Sequence, residues 1–215
     1  MRCLYCHNPD TWDPAGGEEM TAQQVVARVL RCRPYFMASA SASAPAGGGV
    51  TLSGGEPLLQ ARFAAEVLEG CKAAGIHTAV DTSGFLLDEQ VRRLLSFTDL
   101  VLLDIKHTDP QRHRELTGGE LSSTLAFLDY TTRSNIITWV RQVIVPGWND
   151  TDADMRRLAD MLRGRANIAR VELLAYHNMA VAKWLAMGRE YPLAATPPAD
   201  AAAVARLQGV LDRSR

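Results

Sequence analysis

Short apolar runs alternate with longer amphipathic ones along most of this 215-residue chain. VTLS at 50–53 is a four-residue strand pattern, SGGE is a tight turn, and PLLQARFAAEVLEGCKAAG is a helix pattern. Pro57 suits that helix's first turn and Gly75 its end. The unit recurs. IHTAVDTSG reads as strand then turn and DEQVRRLLSF as helix. DLVLLDIKH is strand then turn, before a helical stretch through STLAFLDYTTRS. ITWVRQVIVPGWND is again strand then turn, before the helix DTDADMRRLADMLRG. ARVELLAYH is a fifth strand, and ADAAAVARLQGVLDRS closes the chain as a helix. Ahead of these, MTAQQVVARVLRCRPYF predicts a helix capped by Thr21 and ending near Pro34. The small-residue stretch at 38–49 predicts a flexible Ala/Ser/Gly loop. Apolar, β-branched strands alternating with helices mark a parallel sheet buried on both faces, hence an α/β fold, either a barrel or a doubly wound sheet. No linker divides it, so one domain over 1–215 is expected.

Polar residues gather just past the C-terminal end of each strand. They are Ser53, Gly54, Gly55 and Glu56; Asp81, Thr82 and Ser83; Asp104, Lys106 and His107; Pro146, Gly147, Trp148 and Asn149; and Tyr176, His177 and Asn178. In parallel α/β folds those ends build the ligand site. Turn and cap chemistry accounts for many such residues singly. Asp104 with Lys106, and His177 after an apolar strand, go beyond it and point to an enzyme with a polar, extended ligand.

Composition narrows the partners. Lys and Arg total 23 against 24 Asp and Glu, so no basic footprint for nucleic acid or anionic membrane is present. No apolar run has membrane-spanning length, and no signal-peptide pattern opens the chain. Four cysteines are too few for a disulfide scaffold, so a reducing, cytoplasmic setting is expected.

Two of those cysteines, Cys3 and Cys6, stand in the opening MRCLYCHNPDTW. A CxxC pair reads as a dithiol redox motif, as half of a zinc site, as ligands of an iron–sulfur cluster, or as two incidental thiols near a frayed end. The first should follow a strand and open a helix, and the second needs a matching pair. Cys32 and Cys71 fall on helix patterns and read as buried, hydrophobe-like thiols. Trp184 and PGWND read as packing and turn chemistry.

In order along nearly the whole chain, RCLYCHN, SGGEPLLQ, DTSGF, LLDIKH, VIVPGWND, ELLAYHNM and KWLAMGREY resemble the pyruvate formate-lyase-activating enzymes of the radical S-adenosylmethionine (SAM) superfamily. The resemblance implies a partial (βα)6 TIM-like barrel. It implies a [4Fe–4S] cluster bound through CxxxCxxC, with SAM on the open iron, and reductive cleavage to a 5′-deoxyadenosyl radical. That radical would take a hydrogen from a glycine of pyruvate formate-lyase. A flavodoxin or ferredoxin electron donor, anaerobic metabolism and a monomeric state are implied as well.

On this chain the resemblance implies Cys3 and Cys6 as cluster ligands, with Tyr5, Cys6 and His7 against the adenine side of SAM. Gly54 and Gly55 would let backbone approach the methionyl amino group, and Glu56 would shape that turn. Asp104, Ile105 and Lys106 would contact the cofactor, Lys106 meeting carboxylate charge, and His177 would reach the ribose or adenine. Asp81, Thr82 and Asp104 match a site for a monovalent cation, which hard oxygen ligands suit.

The family pattern places a first cysteine four positions before Cys3, ahead of Met1, together with a first strand and a glycine-rich segment. With the first strand missing from this chain, the expectation is an internally assigned start. The alternatives are an activase of another glycyl-radical enzyme, an inactive fragment that binds only partner or cofactor, and a two-cysteine redox protein.

Overall fold

A computed structural model describes residues 1–13, 16–38 and 48–215. Its sheet comprises β1 (Gly49–Leu52), β2 (His77–Thr82), β3 (Leu100–Asp104), β4 (Ile137–Ile144) and β5 (Ile168–Ala175). The strands lie in sequence order and every pairing is parallel. That order decides between the two architectures left open by the sequence. A doubly wound sheet reverses direction at a switch point, whereas strands laid down one after another curl towards a barrel. The fold is a partial TIM-like barrel.

The helices are α1 (Ala22–Arg31), α2 (Arg33–Ala38), α3 (Ala61–Ala73), α4 (Glu89–Ser96), α5 (Pro110–Thr117), α6 (Leu121–Arg133), α7 (Asp152–Leu162), α8 (Val181–Ala186) and α9 (Ala201–Ser214). Single 3-10 turns at Pro9–Trp12 and Pro57–Gln60 complete the elements. Capping follows the residues. Thr21 and Thr151 each close a capping box, and Asp88, Asp109 and Asp200 accept from backbone N–H groups of the first turns of α4, α5 and α9.

Two expectations need revising. The first helix does not end near Pro34. It stops at Arg31, and α2 begins at Arg33 with Pro34 in its first turn, where proline's missing N–H costs no helical bond. The loop at 38–49 is shorter at both ends, because Ala38 finishes α2 and Gly49 begins β1. Residues 39–47 lie outside the described residues.

The main core lies between sheet and helices. Val80, Val101, Leu103 and Val140 pack there with Leu94, Phe127, Leu158 and Leu211, all buried. Truncating one such aliphatic side chain costs about 2–5 kcal/mol, so this layer fixes the sheet that carries the strand ends. A second cluster sits at the strand tips. Tyr5, Leu116, Val145, Tyr176, Trp184 and Tyr191 form it, with Cys3, Cys6 and Trp12 packed against its edge. Thus the N-terminal segment rests on the C-terminal face of the sheet. Among the described residues no helix is long and apolar enough to cross a membrane.

Candidate functional site

The cysteine segment is held by the rest of the molecule. Arg2 and Leu4 donate their backbone N–H groups to the carbonyls of Thr117 (3.0 Å) and Leu116 (2.9 Å), which end α5 and have no helical partner of their own. The Cys6 N–H donates to the Cys3 carbonyl at 3.1 Å, which closes a turn holding the two cysteines together. Trp184 donates its indole N–H to the Cys6 carbonyl at 3.0 Å. Beyond the turn, Lys183 donates to Asn8 Oδ1 at 2.8 Å and pairs with Asp10 at 3.3 Å. The bland reading of Trp184 as packing alone is therefore incomplete.

The turn after β1 meets this segment. Gly54 has φ +131°, a conformation that side chains rarely adopt. A Cβ on Gly55 would sit 3.0 Å from Thr11 Oγ1 and 3.2 Å from Thr11 Cβ, tight enough that Thr11 would have to give by a few tenths of an ångström. Glu56 is committed to the fold. Its carboxylate accepts from Thr82 Oγ1 (2.6 Å), the Ser83 N–H (3.0 Å), Ser83 Oγ (2.5 Å) and the Leu58 N–H (3.3 Å). It ties the β1 turn to the end of β2.

Charges interlock across β2, β3 and β4. Asp104 accepts from Lys106 at 2.8 Å and from Arg141 Nε at 3.0 Å, while Arg141 also pairs with Asp81. Ser53 donates to Asp81 at 3.2 Å. Register explains the grouping, since Asp81 stands beside Leu102 and Asp104 beside Arg141. Burial pushes the Asp81 carboxyl up, more than Arg141 pulls it down. Burial opposes Asp104 ionisation too, but Lys106 and Arg141 together hold its carboxyl below the usual range. Burial likewise works against the Lys106 charge, yet the Tyr5 hydroxyl and the Asp104 carboxylate hold its ammonium above the ordinary lysine range.

The Lys106 ammonium lies 5.7 Å from the centre of the Tyr5 ring. Asp81, Thr82 and Asp104 do not share an oxygen cage here. The Arg141 guanidinium bridges the two carboxylates, and Thr82 turns to Glu56.

His7 and His177 stack with centroids 4.2 Å apart, their planes tilted by 33°. Burial lowers the His7 pKa, and His177 and Lys106 lower it further. Tyr5 Oη, His7 Nε2 and His177 Nδ1 are buried without a hydrogen-bond partner. Buried polar atoms are nearly always paired, so three such atoms at one site mark a place for a polar ligand. Ile105 contributes backbone only. Its side chain is wholly buried in the main core, its carbonyl accepts from Gln142 at 3.0 Å, and its N–H donates to the Arg141 carbonyl.

The structure thus brings Tyr5, Cys6, His7, Lys106 and His177 together, with Asp104 behind Lys106. Gly54 and Gly55 border the cysteine segment through Thr11. Sequence reasoning missed Arg141, which ITWVRQVI carries as a lone cation at the centre of an apolar strand; that position was the available signal. Asn149, one of the strand-end polar residues singled out in the sequence, serves the turn chemistry expected of PGWND: its buried amide accepts from the Val145 N–H (2.7 Å) and donates to the Val143 carbonyl (2.8 Å), holding the turn after β4.

Cys3 and Cys6 suit an iron–sulfur cluster as two of its thiolate ligands. Burial pushes both thiols up, and the nearby Lys106 ammonium works against that rise. Cys71 is buried in the contact between α1 and α3 as expected, but Cys32, expected to be buried, is exposed because it caps the end of α1; neither joins the pair. Among the described residues no group of three His, Cys, Asp or Glu side chains is placed to hold a single metal ion.

The chain belongs to the radical SAM superfamily, whose family model matches residues 1–159. Within it, the chain belongs to the pyruvate formate-lyase-activating enzymes. It is 42% identical over 215 residues to the pyruvate formate-lyase 1-activating enzyme of Escherichia coli K12, covering 99% of this chain and 85% of that protein. It is 38% identical over 220 residues to the pyruvate formate-lyase-activating enzyme of Listeria monocytogenes, covering 100% of this chain and 86% of the other.

Solved structures agree on the fold. A domain of a pyruvate-formate lyase-activating enzyme from Bacteroides vulgatus superposes with TM-score 0.65 at 24% identity, over 78% of this chain and 95% of that one. SuiB of Streptococcus suis bound to S-adenosylmethionine gives TM-score 0.71 at 17% identity, over 98% of this chain and 44% of that one.

Proposed function

We propose that this chain activates pyruvate formate-lyase by generating a glycyl radical on it, with SAM and a [4Fe–4S] cluster as cofactors. The single observation that carries the reading is the convergence at one pair of strand ends: the Cys3–Cys6 turn lies against Lys106 and Tyr5, and His7 stacks on His177. When bound, the cluster supplies the electron that cleaves SAM reductively to a 5′-deoxyadenosyl radical.

The chain's own residues bind and orient. Lys106, kept charged by Asp104, meets the SAM carboxylate. Gly54 and Gly55 admit backbone to the methionyl amino group. His7 and His177 offer unpaired ring nitrogens to ribose and adenine. Asp104 holds Lys106 in place, and Arg141 balances the charge of Asp104 and Asp81 in the position assigned by resemblance to a monovalent cation. Cys3 and Cys6 present two thiolates to the cluster. Tyr5 closes the floor of the site against water. The same reading includes a flavodoxin or ferredoxin as electron donor, a monomer that meets its substrate enzyme transiently, and a cytoplasmic location.

Anaerobic reconstitution with iron and sulfide, followed by metal counting and electron paramagnetic resonance with and without SAM, tests this reading. A [4Fe–4S] signal altered by SAM supports it, and a protein that holds no cluster contradicts it.

A further inference from the structure

His107 is wholly buried, and the chemistry assigned to the site makes no use of it. Both of its ring nitrogens are committed. Nδ1 accepts from the Asp109 backbone N–H at 2.9 Å, which leaves the ring proton on Nε2. Nε2 donates to the Trp148 carbonyl at 3.0 Å. One ring therefore joins the loop after β3, the N-cap of α5 and the turn after β4. Exposed Arg112 donates to the same carbonyl at 2.8 Å and to that of Gly147 at 3.2 Å. The turn is thus held from within by His107 and from outside by α5. Trp148 itself packs against the strand-tip cluster that contains Tyr5.

Lys106 sits where the chain leaves the sheet. Ile105, just before it, is still bound to β4, its N–H donating to the Arg141 carbonyl and its carbonyl accepting from Gln142. The Lys106 carbonyl receives a long bond, 3.5 Å from Asn149 Nδ2. The next firm anchor is the His107 ring. We propose that His107 is a positioning residue for Lys106: it locks the far side of the Lys106 loop to the turn after β4, as Ile105 locks the near side to the strand. A loop held at both sides keeps the ammonium aimed from Asp104 and Tyr5 into the site, so less freedom is lost when a ligand binds. This role rests on the reading of Lys106 as the residue that meets the SAM carboxylate.

The test is a double-mutant cycle on SAM affinity, measured by isothermal titration of the reconstituted protein. His107→Phe keeps a buried ring and loses both hydrogen bonds. It should weaken SAM binding about fivefold, the effect of one lost hydrogen bond. In a Lys106→Met background the same substitution should change affinity by less than about twofold, because the side chain it positions is gone. No loss from His107→Phe overturns the role. So does an equal loss in both backgrounds, which marks a merely structural residue. If no cluster forms, or if Lys106→Met alone leaves affinity unchanged, the cofactor reading fails, and hydrogen exchange in the cluster-free protein decides the brace by itself. His107→Phe should then speed exchange of the Ile105 and Trp148 amides about fivefold and leave that of Val101, in the main core, as it was. Unchanged exchange at Ile105 and Trp148, or an equal rise at Val101, overturns it. Should His107→Phe not fold, His107→Asn takes its place with the same expected outcomes, since it retains an acceptor near Asp109 but falls short of the Trp148 carbonyl.

Discussion

The imidazoles of His7 and His177 stack 4.2 Å apart, joining the cysteine turn to the tip of β5. Neither ring nitrogen left over, Nε2 of His7 or Nδ1 of His177, has a partner. Replacing His177 with Ala should weaken SAM binding by about tenfold, the scale of one or two lost hydrogen bonds, with little change in melting temperature. Isothermal titration checks it. Equal affinity in the variant would contradict a ligand role for His177.

The same pair predicts an acid slope. In the folded protein His7 titrates below the ordinary histidine value, because burial and the neighbouring cations disfavour its charge. As pH falls, the unfolded chain therefore takes up this proton first. The stability His7 contributes is complete above about pH 6.5 and is lost as pH falls towards its lowered folded value. His7→Phe, which keeps a ring on His177, should flatten the fall of melting temperature between pH 6.5 and 5. His113 is shifted the same way and will leave a residual slope.

Lys106 carries the charge expected to meet the ligand carboxylate. Lys106→Met should lower SAM affinity by about ten- to a hundredfold, the worth of a charge-assisted hydrogen bond. The fold should survive, since Arg141 still pairs with Asp104. An unchanged affinity by titration would remove Lys106 from the site.

Arg141 holds two carboxylates at once. Its side chain and that of Asp104 are each 20% exposed and that of Asp81 is 22% exposed, so the pairing is largely desolvated. Arg141→Met should cost about 3 kcal/mol in urea unfolding, because Asp81 and Asp104 are left facing each other. Adding Asp81→Asn should recover part of that loss. Independent, additive losses would mean that the two residues are not coupled.

Glu56 accepts four hydrogen bonds, and glutamine cannot accept them all with one oxygen and an amide donor. Glu56→Gln should cost about 1–3 kcal/mol in urea and weaken SAM binding through the displaced glycine turn. A variant with wild-type stability would contradict its role as the tie between β1 and β2.

The strands and their order of appearance were legible because buried parallel strands write themselves as apolar, β-branched runs. The strand ends were legible because glycine, aspartate and lysine interrupt those runs at one side. Arg141 was hidden inside such a run. A charge in mid-strand has meaning only once the register sets it beside Asp104. Trp184 was hidden for a different reason: nothing in the spacing between residues 6 and 184 says that an indole will reach a carbonyl. Thr82 reads as an oxygen ligand in sequence, and only the turn of Glu56 towards it gives its hydroxyl another use. Pro34 looked like a helix end because a proline within a helical pattern usually is one. The chain instead restarts its helix one residue before it.

The most direct test of the account is electron paramagnetic resonance of pyruvate formate-lyase after anaerobic incubation with this chain, reconstituted with iron and sulfide and reduced, in the presence and absence of SAM. The account predicts a glycyl-radical signal that requires SAM and disappears when Cys3 and Cys6 are replaced by Ala. No radical from a protein that holds its cluster and binds SAM would contradict it, as would a radical that persists without the two cysteines.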